Sequence, residues 1–312
     1  MTLSTLPDRR AIAAPQAPAL ADDSIELDNS EFLAAVQRAA SRLRAADITR
    51  GDVVAIMLPG AVDLVVALFA TWRLGATAAV IDPTTTDAEA GSRIADAGPK
   101  VLVTRRSPVT SGPVRVVPPV PAIGGAEHDV TEAAWPGLEA PALITYGGGS
   151  SRAVLDHRNL GAMCQLVIKV FALADADHSL STLPMRQICG IVLGALSPLA
   201  AGGRATMAGP LDPRSFLDRI ERIRPTYASA VPGLYAALSE LPGRTRTDTS
   251  SVRFALCCTA PADIELRTRF QHRYAIPIVN GYGLSEVIAR ADSIRSPVAT
   301  RRRPRRTYAA PP

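Results

Sequence analysis

The run Asn280-Gly281-Tyr282-Gly283-Leu284-Ser285-Glu286 follows the short apolar stretch Ile276-Pro277-Ile278-Val279, so a buried strand is expected to deliver its end into a glycine-opened turn. Glycines on both sides of Tyr282 let the backbone approach a ligand closely, and the ring of Tyr282 offers a flat face to a purine. Ser285 can donate to a phosphate oxygen, and the hard oxygens of Glu286 can hold Mg²⁺. Together these groups suit a nucleotide and a divalent cation. A Gly-x-Gly turn alone is weak evidence, since the same run also fits a plain strand-to-helix turn with a solvated glutamate. The surroundings narrow the choice.

The elements needed to position such a turn can be read from periodicity. Residues 1–23 read as a flexible arm, after which Ser30 can cap a helix whose Phe32, Leu33, Val36, Ala40 and Leu43 share one face. Apolar runs at 53–58, 77–81 and 101–104 then alternate with helical stretches 62–74 and 87–97, the latter two closed by Gly75 and Gly98. Such alternation with short connections predicts a parallel sheet with helices on its faces. The first αβ subdomain is therefore expected over 24–104. Residues 105–140 are rich in Pro, Gly and Ser without a clean period and read as a linker. A second subdomain is expected over 141–290, with apolar runs at 180–183, 205–207, 226–230, 252–257 and 277–280 and helices over 188–199, 213–223, 232–241 and 262–272. The fold class is thus α/β, with two subdomains built on mainly parallel sheets. Ligands of such folds bind in the crevice outside the carboxyl ends of the strands.

Of the 34 Lys and Arg residues only Lys100 and Lys169 are lysines. The formal net charge of +5 equals the contribution of Arg301, Arg302, Arg303, Arg305 and Arg306 alone, so the body of the chain is neutral. Residues 291–312 read as a disordered basic tail. With no aromatic platform interleaved among those arginines, no nucleic-acid partner is expected. The four cysteines, Cys164, Cys189, Cys257 and Cys258, and the four histidines do not follow the spacing of a zinc site. No apolar stretch is long enough to span a bilayer, and Pro15, Pro18, Asp22 and Asp23 interrupt the apolar residues that a signal peptide would keep continuous. A cytoplasmic location is the expectation.

Read with its surroundings, the Gly281 to Glu286 segment resembles the adenylate-forming superfamily, the AMP-dependent acyl-CoA synthetases and ligases, whose members carry Gly-Tyr-Gly-x-Thr-Glu here. The resemblance extends over Gly51 to Pro59, Leu74-Gly75-Ala76 with Ile81-Asp82-Pro83, His157-Arg158-Asn159-Leu160, Leu196 to Leu199 with Gly202-Gly203-Arg204, and Arg224-Pro225-Thr226 with Val231-Pro232. It implies the N-terminal domain of such an enzyme, without the small β-barrel subdomain and the C-terminal domain that follow it in the family. It further implies ATP with Mg²⁺ as the activating pair, CoA as the acceptor, and a carboxylic acid, fatty or aryl, as the substrate.

By that resemblance Ser285 and Glu286 are the catalytic candidates, with Glu286 as the metal ligand. Gly147, Gly148, Gly149, Ser150 and Ser151 correspond to the phosphate loop, about four residues shorter than the family pattern, with Arg152 standing in for its lysine. Such a glycine-rich run can form an anion-binding nest, and it equally fits a trimmed surface turn. Thr259, Ala260, Asn280, Gly281, Tyr282 and Gly283 are expected around the nucleotide. Gln187 stands at a position where the family commonly has His, beside the acid. The segment Cys258-Thr259-Ala260-Pro261 replaces a Gly-Gly-Ala-Pro turn. Adenylation in the family relies on a lysine in the C-terminal domain, and no lysine follows Lys169. The expectation is a ligase-family chain that is weakly active or inactive alone. The alternatives are a non-catalytic nucleotide- or acyl-binding remnant, or one half of a split ligase whose partner chain supplies the missing domain.

Overall fold

Strands and helices alternate along most of the chain, and each helix lies against the sheet that its neighbouring strands build. The computed structural model describes residues 3–106, 114–121, 133–147, 152–242, 247–284 and 287–290. In chain order the elements are α1 (Leu6–Ala13), β1 (Pro18–Ala21), β2 (Glu26–Asp28), α2 (Asn29–Arg44), β3 (Val53–Met57), α3 (Ala61–Arg73), β4 (Thr77–Val80), α4 (Asp87–Ala97), β5 (Val101–Thr104), β6 (Arg115–Val117), β7 (Pro141–Tyr146) and β8 (Arg152–Asp156). There follow α5 (His157–Phe171), β9 (His178–Ser181), a π-helical segment (Gly190–Leu196), α6 (Ser197–Ala200), β10 (Arg204–Met207), α7 (Pro213–Ile223), β11 (Tyr227–Ala230), α8 (Pro232–Ser239), β12 (Phe254–Cys257), α9 (Ile264–Tyr274), β13 (Ile278–Asn280), β14 (Tyr282–Leu284) and β15 (Val287–Arg290).

One sheet has the order β6-β5-β3-β4-β7-β8 and is parallel except for the β7–β8 hairpin. The other has the order β13-β12-β11-β9-β10-β1-β2 and is parallel except for β1–β2. A shared core joins them: Phe32 and Val36 of α2, Leu64 and Val65 of α3, Leu160 and Met163 of α5, and Ile191 of the π-helical segment pack between residues of both sheets. The opposite face of the second sheet is covered by α7, α8 and α9 through Phe216, Tyr235 and Phe270. Ala90 and Ile94 of α4 cover the outer face of the first. The apolar runs are buried on both faces, which is why they read as continuous rather than alternating.

Helix ends follow local chemistry. Thr86 accepts from Glu89 N–H to start α4, and Gly98 closes it at φ 59°. At α2 the cap is Asp28, not Ser30. Its carboxylate accepts from Glu31 N–H at 2.8 Å while the Glu31 carboxylate accepts from Asp28 N–H at 2.9 Å, a reciprocal pair that a serine two residues later cannot match.

The subdomain boundaries differ from the expectation. Residues 1–23 are not a flexible arm over their described part: α1 buries Leu6, and β1 pairs with β10 in the second sheet. Arg10 Nε donates to Asn29 Oδ1 and Arg10 Nη1 donates to the Leu199 carbonyl, each at 2.7 Å, while Asp8 accepts from Arg73 at 2.9 Å. These tertiary bonds order a stretch whose apolar residues are interrupted by Pro15, Pro18, Asp22 and Asp23 and show no clear period. The expected division into 24–104 and 141–290 is likewise crossed, since β1 and β2 belong to the second sheet and β7 and β8 to the first. The expected linker contains β6, paired with β5. Residues 291–312 lie outside the described residues.

Two buried histidines set an acid limit on stability. His157 lies fully buried, ring edge against Trp72 at 5.5 Å between centroids, and burial pushes its pKa down to about 4. Burial and then the charge of Arg204 push His178 down to about 4 as well. Between about pH 6.5 and 4 the unfolded chain binds protons that the folded chain refuses, so stability falls as pH drops through that window. Urea midpoints measured from pH 7 to pH 4 are expected to decline, and His157→Phe is expected to flatten the decline.

Candidate active site

The carboxyl ends of β13, β12, β11 and β9 lie side by side, because all four strands are parallel and in register: Asn280 opposes Cys257, Cys257 opposes Ala230, and Ser229 opposes Ser181. The loops leaving β9 and β11 go to opposite faces, one to the π-helical segment in the shared core and the other to α8. This divergence opens the crevice in which open α/β sheets bind ligands.

Asn280 organises that edge. Its Oδ1 accepts from Ala262 N–H and its Nδ2 donates to the Ala262 carbonyl, both at 2.9 Å. The turn between β12 and α9 is thus fastened to the end of β13. Gly281 N–H donates to the Cys257 carbonyl at 2.8 Å. A Cβ on Gly281 would stand 3.0 Å from Cys258 Sγ, so the thiol fills the space beside this glycine. Cys258 is held protonated by burial and by the neighbouring Cys189 and Cys257. Thr259 and Ala260 are exposed at the crest of the turn, facing outward from the strand ends. Of the residues expected around a nucleotide, Thr259, Ala260, Asn280 and Gly281 are therefore brought together. The amide of Asn280 is committed to Ala262, which makes it a support for the turn.

Thr259 has φ 75°, a left-handed backbone that a β-branched residue adopts at a cost of about 1–2 kcal/mol. Glycine is the residue this position favours. Thr259→Gly is expected to stabilise the fold by about 0.5–1 kcal/mol, the relief of strain exceeding glycine's extra loss of backbone freedom. A urea midpoint equal to or below that of the wild type would contradict this reading.

Gln187 lies in the loop between β9 and the π-helical segment, half-buried, with Cys189 Sγ donating to its Oε1 at 3.5 Å. That loop is tied to the first sheet at two points. Arg186 Nε lies 2.8 Å from Asp82 Oδ2 just past β4, and Thr145 Oγ1 of β7 approaches the Arg186 carbonyl at 3.5 Å. The strand ends of both sheets therefore border one crevice, and Gln187 sits at their junction. The helix expected over 188–199 begins there as a π-helical segment, a backbone form found frequently at functional sites.

The glycine run is shorter than its sequence suggests, because β8 begins at Arg152 and pairs antiparallel with β7, Tyr146 opposite Arg152. Gly147 follows directly on β7. Arg152 Nε lies 3.7 Å from Asp96 Oδ2, and its Nη1 approaches the Asp96 carbonyl at 3.5 Å. Its guanidinium is thus directed to the end of α4 on the outer face of the sheet. Gly148, Gly149, Ser150, Ser151, Ser285 and Glu286 lie outside the described residues. Tyr282 and Gly283 fall in β14, which pairs antiparallel with β15, so this part of the motif is a strand and not the expected open turn.

Neither lysine borders the crevice strands' carboxyl ends. Lys100 Nζ pairs with Asp52 at 3.1 Å ahead of β5, and Lys169 is in the last turn of α5. Among the described residues no group of three or more His, Cys, Asp or Glu could hold a metal ion, and no helix is long and apolar enough to cross a membrane. A cavity of about 20 Å³, room for one water, is lined by Ala39, Leu43, Val66, Val103 and Val117, among others. It belongs to the packing of α2 and α3 and not to the crevice. Sequence reading missed Asp82, Arg186 and Asp96. Only Asp82 carried a signal, as the acid that ends an apolar run.

Parallel strand ends bordering a shared crevice, with a fastened turn at its rim, define an open α/β class of fold that binds ligands in that crevice. The AMP-binding enzyme family matches residues 7–311, and the chain belongs to that family. It is 29% identical over 292 residues to feruloyl-CoA synthase from Amycolatopsis sp, covering 91% of this chain and 59% of that protein. The chain thus spans less than two thirds of that relative's length. Among solved structures, ATP-bound MatB from Rhodopseudomonas palustris superposes with a TM-score of 0.80 at 23% identity, covering 92% of this chain and 61% of that one. The inhibitor-bound N-terminal domain of FACL13 from Mycobacterium tuberculosis superposes with a TM-score of 0.82 at 20% identity, covering 91% and 76%. The fold is accordingly that of the N-terminal domain of acyl-CoA synthetases, mixed α/β with two mainly parallel sheets.

Proposed function

We propose that this chain is the nucleotide- and acid-binding portion of an ATP-dependent acid–thiol ligase. A carboxylate oxygen attacks the α-phosphorus of ATP, the bond to pyrophosphate breaks, and an acyl-adenylate forms. The thiol of CoA then attacks the acyl carbon and releases AMP. The observation that carries this reading is the fastening of the Cys258 to Ala262 turn onto Asn280 beside Gly281, at the carboxyl ends of the second sheet's parallel strands.

In this reading Thr259, Ala260, Gly281 and Tyr282 bound the adenine, and backbone N–H groups of Gly147 to Ser151 receive the phosphates. Ser285 assists at the phosphates, and Glu286 holds the Mg²⁺ that accompanies ATP. Gln187 faces the acid. An aryl acid is the first class to test, because the relative cited above is named for one, and a fatty acid is the second. Charge developing at the α-phosphate calls for a lysine, and Lys100 is committed to Asp52. A lysine from outside this sequence, on a partner chain in the split-ligase reading, would meet that charge.

Calorimetric titration of the purified chain with Mg-ATP and with AMP tests the reading. Binding that Tyr282→Ala and Glu286→Ala abolish supports it. Absence of binding by protein shown to be folded overturns it. Pyrophosphate release with a panel of acids, measured with and without candidate partner proteins, then reads the substrate class.

A further inference from the structure

The two residues that flank the glycine run both reach the same carboxylate. Tyr146, the last residue of β7, donates its hydroxyl to Asp96 Oδ2 at 2.8 Å and lies 2.9 Å from the Arg93 carbonyl. Arg152, the first residue of β8, brings its Nε to 3.7 Å from the same Asp96 Oδ2. Arg93 stacks over the Tyr146 ring at 5.4 Å from its centroid. All of these groups sit at the end of α4, on the face of the sheet away from the shared core. Tyr146 and Arg152 are cross-strand partners, so a carboxylate that holds both fixes the spacing of the hairpin stems. The hydroxyl stays protonated: burial first, then the hydrogen bond to Asp96, raise its pKa.

We propose that Asp96 is a positioning residue for phosphate binding, bracing both stems of the glycine run from the outer layer of the fold. It touches no ligand. It acts by fixing Tyr146 and Arg152, and through them the direction in which the backbone of Gly147 leaves the sheet. The inference rests on the nucleotide reading above and extends it to the residue that sets the phosphate end. The phosphates beyond the α-position are the part of ATP that AMP lacks, so the brace should matter for one ligand and not the other.

The test is titration of wild type, Asp96→Ala, Asp96→Asn and Tyr146→Phe with Mg-ATP and with AMP. Loss of a hydrogen bond to a charged acceptor should weaken Mg-ATP binding about tenfold in Asp96→Ala, with AMP changed less than about twofold. Asp96→Asn keeps an oxygen that accepts from Tyr146 and is expected within about threefold of wild type. Tyr146→Phe should weaken binding less in the Asp96→Ala background than in the wild type, the mark of a shared contact. Unchanged Mg-ATP affinity in Asp96→Ala overturns the proposal, as does an equal loss for AMP, which would mean general damage to the fold. If the wild type binds neither nucleotide, the nucleotide reading fails and amide exchange decides the brace. Exchange at Tyr146 and Arg152 that is no faster in Asp96→Ala than in wild type overturns it, and exchange at least about tenfold faster supports it.

Discussion

Asn280→Ala is expected to lower stability by about 2–3 kcal/mol and to weaken AMP and Mg-ATP binding by about 10- to 100-fold. The side chain makes two hydrogen bonds to one buried residue, Ala262, as donor to its carbonyl and acceptor from its N–H. Truncation leaves both backbone groups without partners where water reaches them poorly, and the cost of an unmade bond exceeds the net gain of a made one. The loss in binding follows from the turn that carries Thr259 and Ala260, which is then fastened to β13 only through backbone contacts. Asn280→Asp discriminates this account from simple packing. The aspartate accepts from Ala262 N–H but cannot donate to the carbonyl, so it should fall between wild type and alanine in a urea titration. An aspartate variant as stable as wild type, or an alanine variant that binds nucleotide normally, would show that the turn holds itself.

Gly190→Ala is expected to cost about 3 kcal/mol or more, visible as a Tm lower by roughly 5–10 °C or as failure to accumulate folded protein. A Cβ at this position would lie 2.2 Å from the Pro184 carbonyl oxygen and 2.8 Å from its carbon. Backbone on both sides leaves nothing flexible to give way. The loop from Pro184 to Cys189 would be forced off the start of the π-helical segment, and with it Gln187 and the Arg186 to Asp82 bridge. Gly233→Ala serves as the control, since a Cβ there meets nothing within 4 Å. A Gly190→Ala variant that melts with the wild type would remove the claim that close approach, and not helix chemistry, fixes glycine at this site.

Where local chemistry decides an element, the chain discloses it. α4 lies between Thr86 and Gly98, and α7 opens at Asp212-Pro213, where the Asp212 carboxylate accepts from Ser215 N–H; both bounds follow from the residues themselves. Elements held by partners distant in the chain stay hidden. β1 has two buried residues, Ala19 and Leu20, and exists because Leu20 pairs beside Ala205. β8 reads as the tail of a loop, since Arg152-Ala153-Val154-Leu155-Asp156 has only two inward apolar positions and needs β7 to become a strand. In the site, residue types and the family resemblance named positions at the carboxyl ends of β12 and β13, but not the partners those side chains take. Asn280 was expected on a ligand and is spent on Ala262, and Arg152 was expected at phosphates and meets Asp96. Neither partner lies near in sequence, so no period or motif could have named it. Thr259 stands where the resembled turn has glycine, and it takes a left-handed backbone carried by a branched side chain.

The pairing of β1 with β10 also dictates an order of assembly. The second sheet needs a strand made at the very start of the chain, yet β10 and β9 are synthesised only after the whole first sheet has been threaded between them. Contacts so far apart in sequence close late and slow folding. The β1–β2 hairpin must therefore wait, its edge toward β10 unpaired, while some 180 residues emerge. Refolding should consequently show a slow phase that reports on Leu20 and Ala205 together, and during synthesis this short early segment is the part of the chain with most to gain from a chaperone.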